Sequence, residues 1–383
     1  MSKITLNTPK QPTAAANPDA KKLILILALS LLSLNASAST LVRCQDNATG
    51  GISYSQNWCY GNSTLVAKYL NFKWVSEGLW SDNVFASKSF WYQDISKAPI
   101  DANSANLVIE FMRQKVKYYN TVNLNMTQYA APVYIVNGNV PSVKVGFNNC
   151  QNKSYTPTEF LNQVSAVPIP AHALAANGTD AEIAVYKPST GEYWELWEAR
   201  KDASGNWSAC WGGKVENTKL SDGVFPSYYG TTATSLPFIG GQITAEELKR
   251  GEIKHAIGIS LVEISNWNVF SYPAHRSDGN NPTNAPNRIA EGQRFRLDPS
   301  INVDTLNLSP AGKTIARAAQ KYGFVVWDKA GSVSLRASNP IAQTSKGEID
   351  PYIAVFKGEA MWHVLQGMPW DKLQFMPMNY GKP

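Results

Sequence analysis

From Ala181 to Gly213 short apolar runs alternate with glycine-containing turns, and this spacing restricts the stretch to a sheet. Ala181 to Tyr186 reads as a strand, Pro188-Ser189-Thr190-Gly191 as a turn and Glu192 to Arg200 as the next strand. Asp202-Ala203-Ser204-Gly205-Asn206 then turns the chain into Trp207 to Gly212. Each run is shorter than the ~10 residues a buried helix needs, so strand, turn, strand describes a meander. The strands are aromatic, with Tyr193, Trp194, Trp197, Trp207 and Trp211 among the 12 tryptophans and 17 tyrosines of the chain. The expected fold is mainly β: a β-sandwich or jelly-roll core over residues 166–345 with a few short helices.

The N-terminus reads as an export signal. Lys21-Lys22 precede the apolar run Leu23 to Leu34, and Ala36-Ser37-Ala38 follows as a small-residue cleavage site. The run falls short of the ~20 residues needed to span a bilayer, and no second one follows. A signal peptide at residues 1–38 is therefore expected, with a retained signal anchor as the alternative and no stable membrane insertion after cleavage. Removal of four lysines and one aspartate with the signal lowers the formal charge from +6 to about +3. No stretch is dense enough in Lys and Arg to neutralise a phosphate backbone, so nucleic acid is not an expected partner.

Four cysteines in an exported chain imply two disulfides. Cys44 and Cys59 flank a Gly-Gly turn and are expected to close a small loop, which leaves Cys150 with Cys210. All three connectivities are formally open.

Residues 39–165 are expected to form an N-terminal α+β subdomain tied on by disulfides. Apolar spacing predicts helices over 64–77 and over 104–117, the latter with Leu107, Ile109, Phe111, Met112 and Val116 toward one side. Asn137-Gly138 between Pro132–Val136 and Ser142–Gly146 predicts a hairpin. The extended connector Val167-Pro168-Ile169-Pro170-Ala171 marks the expected boundary. Beyond it, Thr244 and Glu247 form a capping box for a short helix that Gly251 ends, before a strand from Ile253 to Ile264. A second helix is expected from Pro310 to Tyr322 with Gly323 as its stop, then a hairpin of Phe324–Trp327 with Val333–Ala337. The polar segment Ser277 to Ala290 is long enough to be a binding loop. Residues 346–383 form a tail packing on the core.

Between Val167 and about Arg336 the chain resembles a broad family of secreted bacterial β-rich proteins of unsettled function. The resemblance is carried by Val-Pro-Ile-Pro-Ala (167–171), Trp194-Glu195-Leu196-Trp197 and Trp211-Gly212-Gly213. It continues through Ala233-Thr234-Ser235-Leu236-Pro237 with Gly240-Gly241, and Arg250-Gly251-Glu252-Ile253-Lys254-His255-Ala256. Pro273-Ala274, Asp278-Gly279, Leu297-Asp298-Pro299 and Ala319-Gln320-Lys321-Tyr322-Gly323 complete it. It covers nearly half of the precursor. It implies a β-sandwich or jelly-roll core and transfers no catalytic residue; His275 falls outside its pattern.

Aromatic faces beside carboxylates are what a protein needs to hold a sugar ring and act on its oxygens, so a polysaccharide or cell-surface glycan is the expected partner. His255 is a candidate general acid or base, because imidazole titrates near neutrality; the plainer reading is a buried strand histidine. Asp278 is a candidate base before a flexible glycine, against an ordinary Asp-Gly turn. Glu195, on one strand face with Tyr193 and Trp197, is its candidate partner in glycoside hydrolysis, against a sheet-face glutamate of no chemical role. Trp197 and Trp211 are candidate substrate-binding platforms, the plainer reading being core aromatics, and Tyr228 and Tyr229, in a Pro/Gly-flanked loop, are the better candidates for exposed aromatics. Arg276 beside a tyrosine or His255 would also suit β-elimination of a uronate.

A zinc set of His255, His275 and Asp278 has no His-Glu-x-x-His to support it, so no metal is expected. There is no Gly-x-Ser-x-Gly elbow, so a serine hydrolase is not expected, and no Walker loop or Gly-x-Gly-x-x-Gly, so no nucleotide cofactor is expected either. Two classes remain. One is a secreted polysaccharide hydrolase or lyase, and the other a non-catalytic glycan-binding or surface protein.

Overall fold

The structure, a computed structural model, describes residues 41–46, 52–56, 63–70, 73–75 and 83–383. Two compact units divide the chain after Gly78. In the first, β1 (Leu41–Asp46), β2 (Ile52–Gln56), β3 (Ser63–Leu70) and β4 (Lys73–Val75) form an antiparallel sheet in the order β2-β1-β3-β4. The helix expected over 64–77 is thus replaced, over its described part, by two strands. Val66 and Tyr69 favour extended backbone, and the ladder with β1 rewards it more than an isolated turn of helix would. The pairing expected of Cys44 with Cys59 lies outside the described residues.

The second unit runs on across the connector at Val167, where a boundary was expected. Its strands are β5 (Asn123–Asn125), β6 (Val133–Ile135), β7 (Val145–Phe147), β8 (Ile183–Lys187), β9 (Glu192–Trp197), β10 (Arg200–Lys201) and β11 (Trp207–Ala209). They continue as β12 (Trp211–Val215), β13 (Ile257–Leu261), β14 (Arg294–Leu297), β15 (Phe324–Lys329), β16 (Ser334–Arg336) and β17 (Leu373–Phe375). Three mixed sheets result, ordered β10-β11-β7, β12-β9-β8-β6 and β17-β14-β15-β13-β16-β5. The fold is β-rich as expected, and the sheets contain parallel pairs that a meander lacks: β6 with β8, β7 with β11, β13 with β15 and β5 with β16.

Those pairs explain two hairpins that do not form. β6 and β7, joined through Asn137-Gly138, enter different sheets because each finds a buried partner further along the chain. β15 and β16 are separated by β13, whose Ile257, Ile259 and Leu261 are all fully buried. A meander β8-β9-β12 forms, but its third strand is Trp211–Val215 and not the expected Trp207–Gly212, which breaks at Cys210 so that β11 joins another sheet. The tail contributes β17 as an edge strand on β14.

Five helices matter for the packing: α1 (Ser104–Lys117), α2 (Thr158–Gln163), α3 (Phe238–Gly241), α4 (Ala245–Arg250) and α5 (Pro310–Lys321). α4 has the expected capping box and ends at Gly251 with φ +78°, a conformation glycine adopts without Cβ strain. α1 buries Leu107, Phe111 and Gln114, while Ile109 and Val116 stay exposed, so its apolar face is narrower than expected.

The six-stranded sheet is a shared wall. On β15, Phe324 and Val326 pack with Phe111 of α1 and Ile315 of α5, whereas Val325 and Trp327 pack with Tyr193 and Ile183 of the four-stranded sheet. Alternation along one strand thereby feeds two cores. Gly258 makes the second one possible: a Cβ there would come within 2.3 Å of the Trp327 ring.

Candidate functional site

The loop from Phe225 to Leu236 gathers most of the expected site residues. It closes on itself through Phe225 N–H to Ser235 O (2.9 Å) and lies on the Gly212-Gly213 pair of β12. Gly230 N–H donates to Gly212 O (3.1 Å), and a Cβ on Gly213 would meet Tyr229 Cβ at 2.7 Å. Trp211-Gly212-Gly213 is thus a seat that only glycine backbone can provide.

Glu195 holds the loop from below. Its Oε2 accepts from Thr231 Oγ1 (2.7 Å) and Thr231 N–H (3.2 Å), and its Oε1 accepts from Tyr193 Oη and Phe238 N–H at 2.5 Å each. The carboxyl is fully buried, and burial pushes its pKa up to about 7 against those four donors. Tyr193 and Glu195 do share a face, but that face and the one bearing Trp194 and Leu196 are both buried. Core packs on each side of the strand, so Glu195 has no open face toward a ligand.

Arg276 holds the loop from the other side, its Nη2 donating to Thr232 O (2.7 Å) and Gly230 O (3.1 Å). Asp328, at the end of β15, accepts from Ala233 N–H (3.2 Å) and pairs through Oδ2 with Arg336 (2.8 Å), which also pairs with Glu182 (2.8 Å). Asp278 reaches solvent above these groups, and its backbone N–H donates to Glu291 Oε2 (3.1 Å). Loss of hydration raises the pKa of Asp278, with Lys329 and Arg276 opposing. Burial, with Asp278 adding its charge, pushes Glu291 to about 8, and burial pushes Asp328 to about 7 despite Arg336. Glu291 Oε1 is buried and has no hydrogen-bond partner. Among the described residues no group of three or more His, Cys, Asp and Glu is arranged to hold a metal ion.

His255 stands apart from this assembly. It precedes β13, is buried, and places Nε2 3.1 Å from Glu247 Oε1 and Nδ1 2.8 Å from Ala256 O. Burial works to lower its pKa and the Glu247 carboxylate outweighs it, so the net shift is upward. The other oxygen of Glu247 closes the capping box on Thr244 (2.9 Å), so the pair ties α4 to the sheet. No hydrogen bond or ion pair among the described residues joins His255 to Glu195 or Asp278.

At its outer edge the loop builds an aromatic stack. Phe160 of α2 lies 5.4 Å from Trp211 at 19°, Trp211 lies 5.5 Å from Tyr229 at 13°, and Tyr228 covers Tyr229 at 4.9 Å. Tyr228 also lies 6.1 Å from Trp211 at 17° and is 53% exposed. Trp197, the register partner of Trp211, turns its indole N–H to Asp180 Oδ1 (3.3 Å) and leans on the core. The Cys150–Cys210 disulfide forms, and it brings the 149–155 loop to Trp211.

Lys153, Glu291 and Asp328 escape a reading of the sequence. Lys153 was within its reach, since the disulfide and the adjacency of Cys210 to Trp211 together bring residue 153 to that ring. Glu291 was not, because its neighbours arrive from three separate segments.

A separate open cleft of about 230 Å³ sits at the base of the 277–290 loop, lined by Asp101, Asn103, Asn266, Asn287 and Arg288 over Leu107. Arg288 is spent on Glu110 and Glu263, and none of the expected site residues lines this cleft. Comparison with family models, curated proteins and solved structures finds no match for the chain.

Proposed function

We propose that the chain is an exported glycan-binding protein whose binding face is the Tyr228 end of the aromatic stack. The observation that carries the reading is this stack: near-parallel rings rooted in the core and ending in a half-exposed tyrosine. A sugar's C–H face packs on such a ring while its hydroxyls stay in water, and a ring already fixed by three others loses little entropy on binding. Binding needs no titratable pair, which agrees with His255 and Glu195 being consumed by structural hydrogen bonds.

Export is part of the proposal and is supported by the Cys150–Cys210 bond, of a kind stable in oxidising compartments. Among the described residues no helix is long and apolar enough to cross a membrane. The sandwich arrangement belongs to it as well, supported by the apolar core that the four- and six-stranded sheets share.

One observation favours a second reading, a polysaccharide hydrolase or lyase. Asp278, Glu291 and Asp328 form a carboxylate group beside Arg276 with pKa values raised toward neutrality, a pattern useful for acid–base chemistry. In it Asp278 is the accessible carboxylate and Glu195 a positioning residue.

The test is a screen of the purified chain against neutral, uronate-containing and sulfated glycans. It records binding by titration calorimetry together with new reducing ends and unsaturated uronate. Binding that Tyr228→Ala weakens about ten-fold or more, with no product released, supports the lectin reading. Product formation lost in Asp278→Asn supports the enzyme instead, and silence on every glycan overturns both.

A further inference from the structure

We infer that the glycan recognised at the Tyr228 stack carries an acidic group, carboxylate or sulfate, and that Lys153 receives it; this rests on the glycan-binding reading above. The Lys153 ammonium lies 5.0 Å from the centre of the Trp211 ring and 6.0 Å from that of Tyr155. Tyr155 is 59% exposed, so the cation lies over one accessible aromatic ring and over Trp211, the ring against which the half-exposed Tyr228 stacks.

This lysine is held in place. Asn149 clamps its backbone from both sides, Oδ1 accepting from Lys153 N–H (2.7 Å) and Nδ2 donating to Lys153 O (2.8 Å). One residue on from that asparagine, Cys150 is bonded to Cys210, whose neighbour is Trp211. The disulfide thus fixes the cation relative to the platform and lowers the entropic cost of using it.

Lys153 is half-buried as a residue, and among the described residues its ammonium donates no hydrogen bond and pairs with no carboxylate. Aromatic faces attract a cation but offer no acceptor for its three N–H groups. Those donors are available to a ligand lying across Tyr155 and Tyr228. A neutral sugar would meet them with hydroxyls; a uronate or sulfate meets them with charge-assisted bonds, roughly twice as strong. Glu159, exposed in the first turn of α2 and close enough to raise the Tyr229 pKa, is the opposing charge at this edge. Its presence predicts that the preference for acid is tunable.

The experiment measures affinity of the full chain, Lys153→Gln, Glu159→Gln and Tyr228→Ala for a neutral polysaccharide, a polyuronate and a sulfated polysaccharide. Equal melting temperatures establish that the variants fold. Acidic chains are expected to bind about ten-fold or more tightly than the neutral one, with the difference shrinking as salt rises from about 0.05 to 0.3 M. Lys153→Gln should abolish that difference, while Glu159→Gln should widen it. Preference for the polyuronate assigns a carboxylate ligand, and preference for the sulfated chain assigns a sulfate. Equal affinity for neutral and acidic chains, unaffected by Lys153→Gln but lost in Tyr228→Ala, overturns the inference and leaves glycan binding standing. Absence of binding to all three overturns glycan binding itself.

Discussion

Glu263 follows β13 and Glu291 precedes β14, two glutamates bordering the same sheet, and their surroundings shift their pKa values in opposite directions. Glu263 meets Arg113 at 2.6 Å, Lys117 at 2.8 Å and Arg288 at 3.2 Å, and accepts from Tyr118 Oη at 2.8 Å. The Arg113 bond leads those that hold its pKa down to about 2. Glu291 has the Asp278 backbone N–H, an unpaired Oε1 and the charges of Asp278 and Asp328 nearby, and burial takes it to about 8. One carboxylate braces α1 and the 277–290 loop against the sheet. The other is buried with no ion pair of its own among the described residues, and its pKa rises. Identical side chains therefore serve structure or stay chemically poised according to how many donors reach them.

Glu291→Gln should give the largest effect. Its pKa is raised on folding, so between the ordinary glutamate value of ~4.3 and about 8 the folded state holds a proton that the unfolded state releases. Stability contributed by this group is thus lost as pH rises through that window, on the order of 5 kcal/mol in total. The glutamine variant should be more stable than the parent at pH 9 and equal to it below pH 4 in urea titrations. Parallel stability–pH curves for the two proteins would end the contrast with Glu263.

Glu263→Gln should have the opposite sign and a smaller size. The lowered pKa contributes stability above ~4.3 that disappears as pH falls toward 2. Arg113 and Lys117 are 39% and 54% exposed, so screening limits the loss at neutral pH to about 1 kcal/mol. At pH 2 the variant and the parent should unfold at the same denaturant concentration.

Salt should have the smallest effect and would sharpen the comparison furthest. Raising it to about 1 M should cost the parent a few tenths of a kcal/mol at neutral pH, and cost Glu263→Gln nothing. The alkaline slope due to Glu291 should persist, because burial rather than an exposed ion pair causes it. A slope that salt removes would mean that the Glu291 proton is held by surface charge.

Much of the local structure is legible in the chain. The Thr244/Glu247 capping box and Gly251 delimit α4, and Ser309-Pro310 with Gly323 delimits α5, because caps are settled within a few residues. The turns around Gly191 and Gly205 place β8, β9 and β11 for the same reason. Strand partners are not legible. Asn137-Gly138 predicts a hairpin, but alternation reports which residues are apolar, not which distant strand will cover them. The candidate site divides along the same line: Tyr228 is readable from its Pro/Gly-flanked loop, while the fates of His255 and Glu195 depend on Glu247, Thr231 and Phe238 arriving beside them.

Composition and local pattern therefore settled that this chain would be β-rich and aromatic, where α4 and α5 begin and end, and that Cys150 was available to Cys210. Those outcomes depend on backbone chemistry acting over a few residues, or on a covalent bond between the few cysteines present. The tertiary structure alone decided that β13 would part β15 from β16, that both faces of β9 would be buried, and that the pKa of Glu263 would fall while that of Glu291 rose. Each of those depends on groups remote in sequence meeting in a medium of low dielectric, where the number of donors within ~3 Å outweighs the intrinsic chemistry of the side chain.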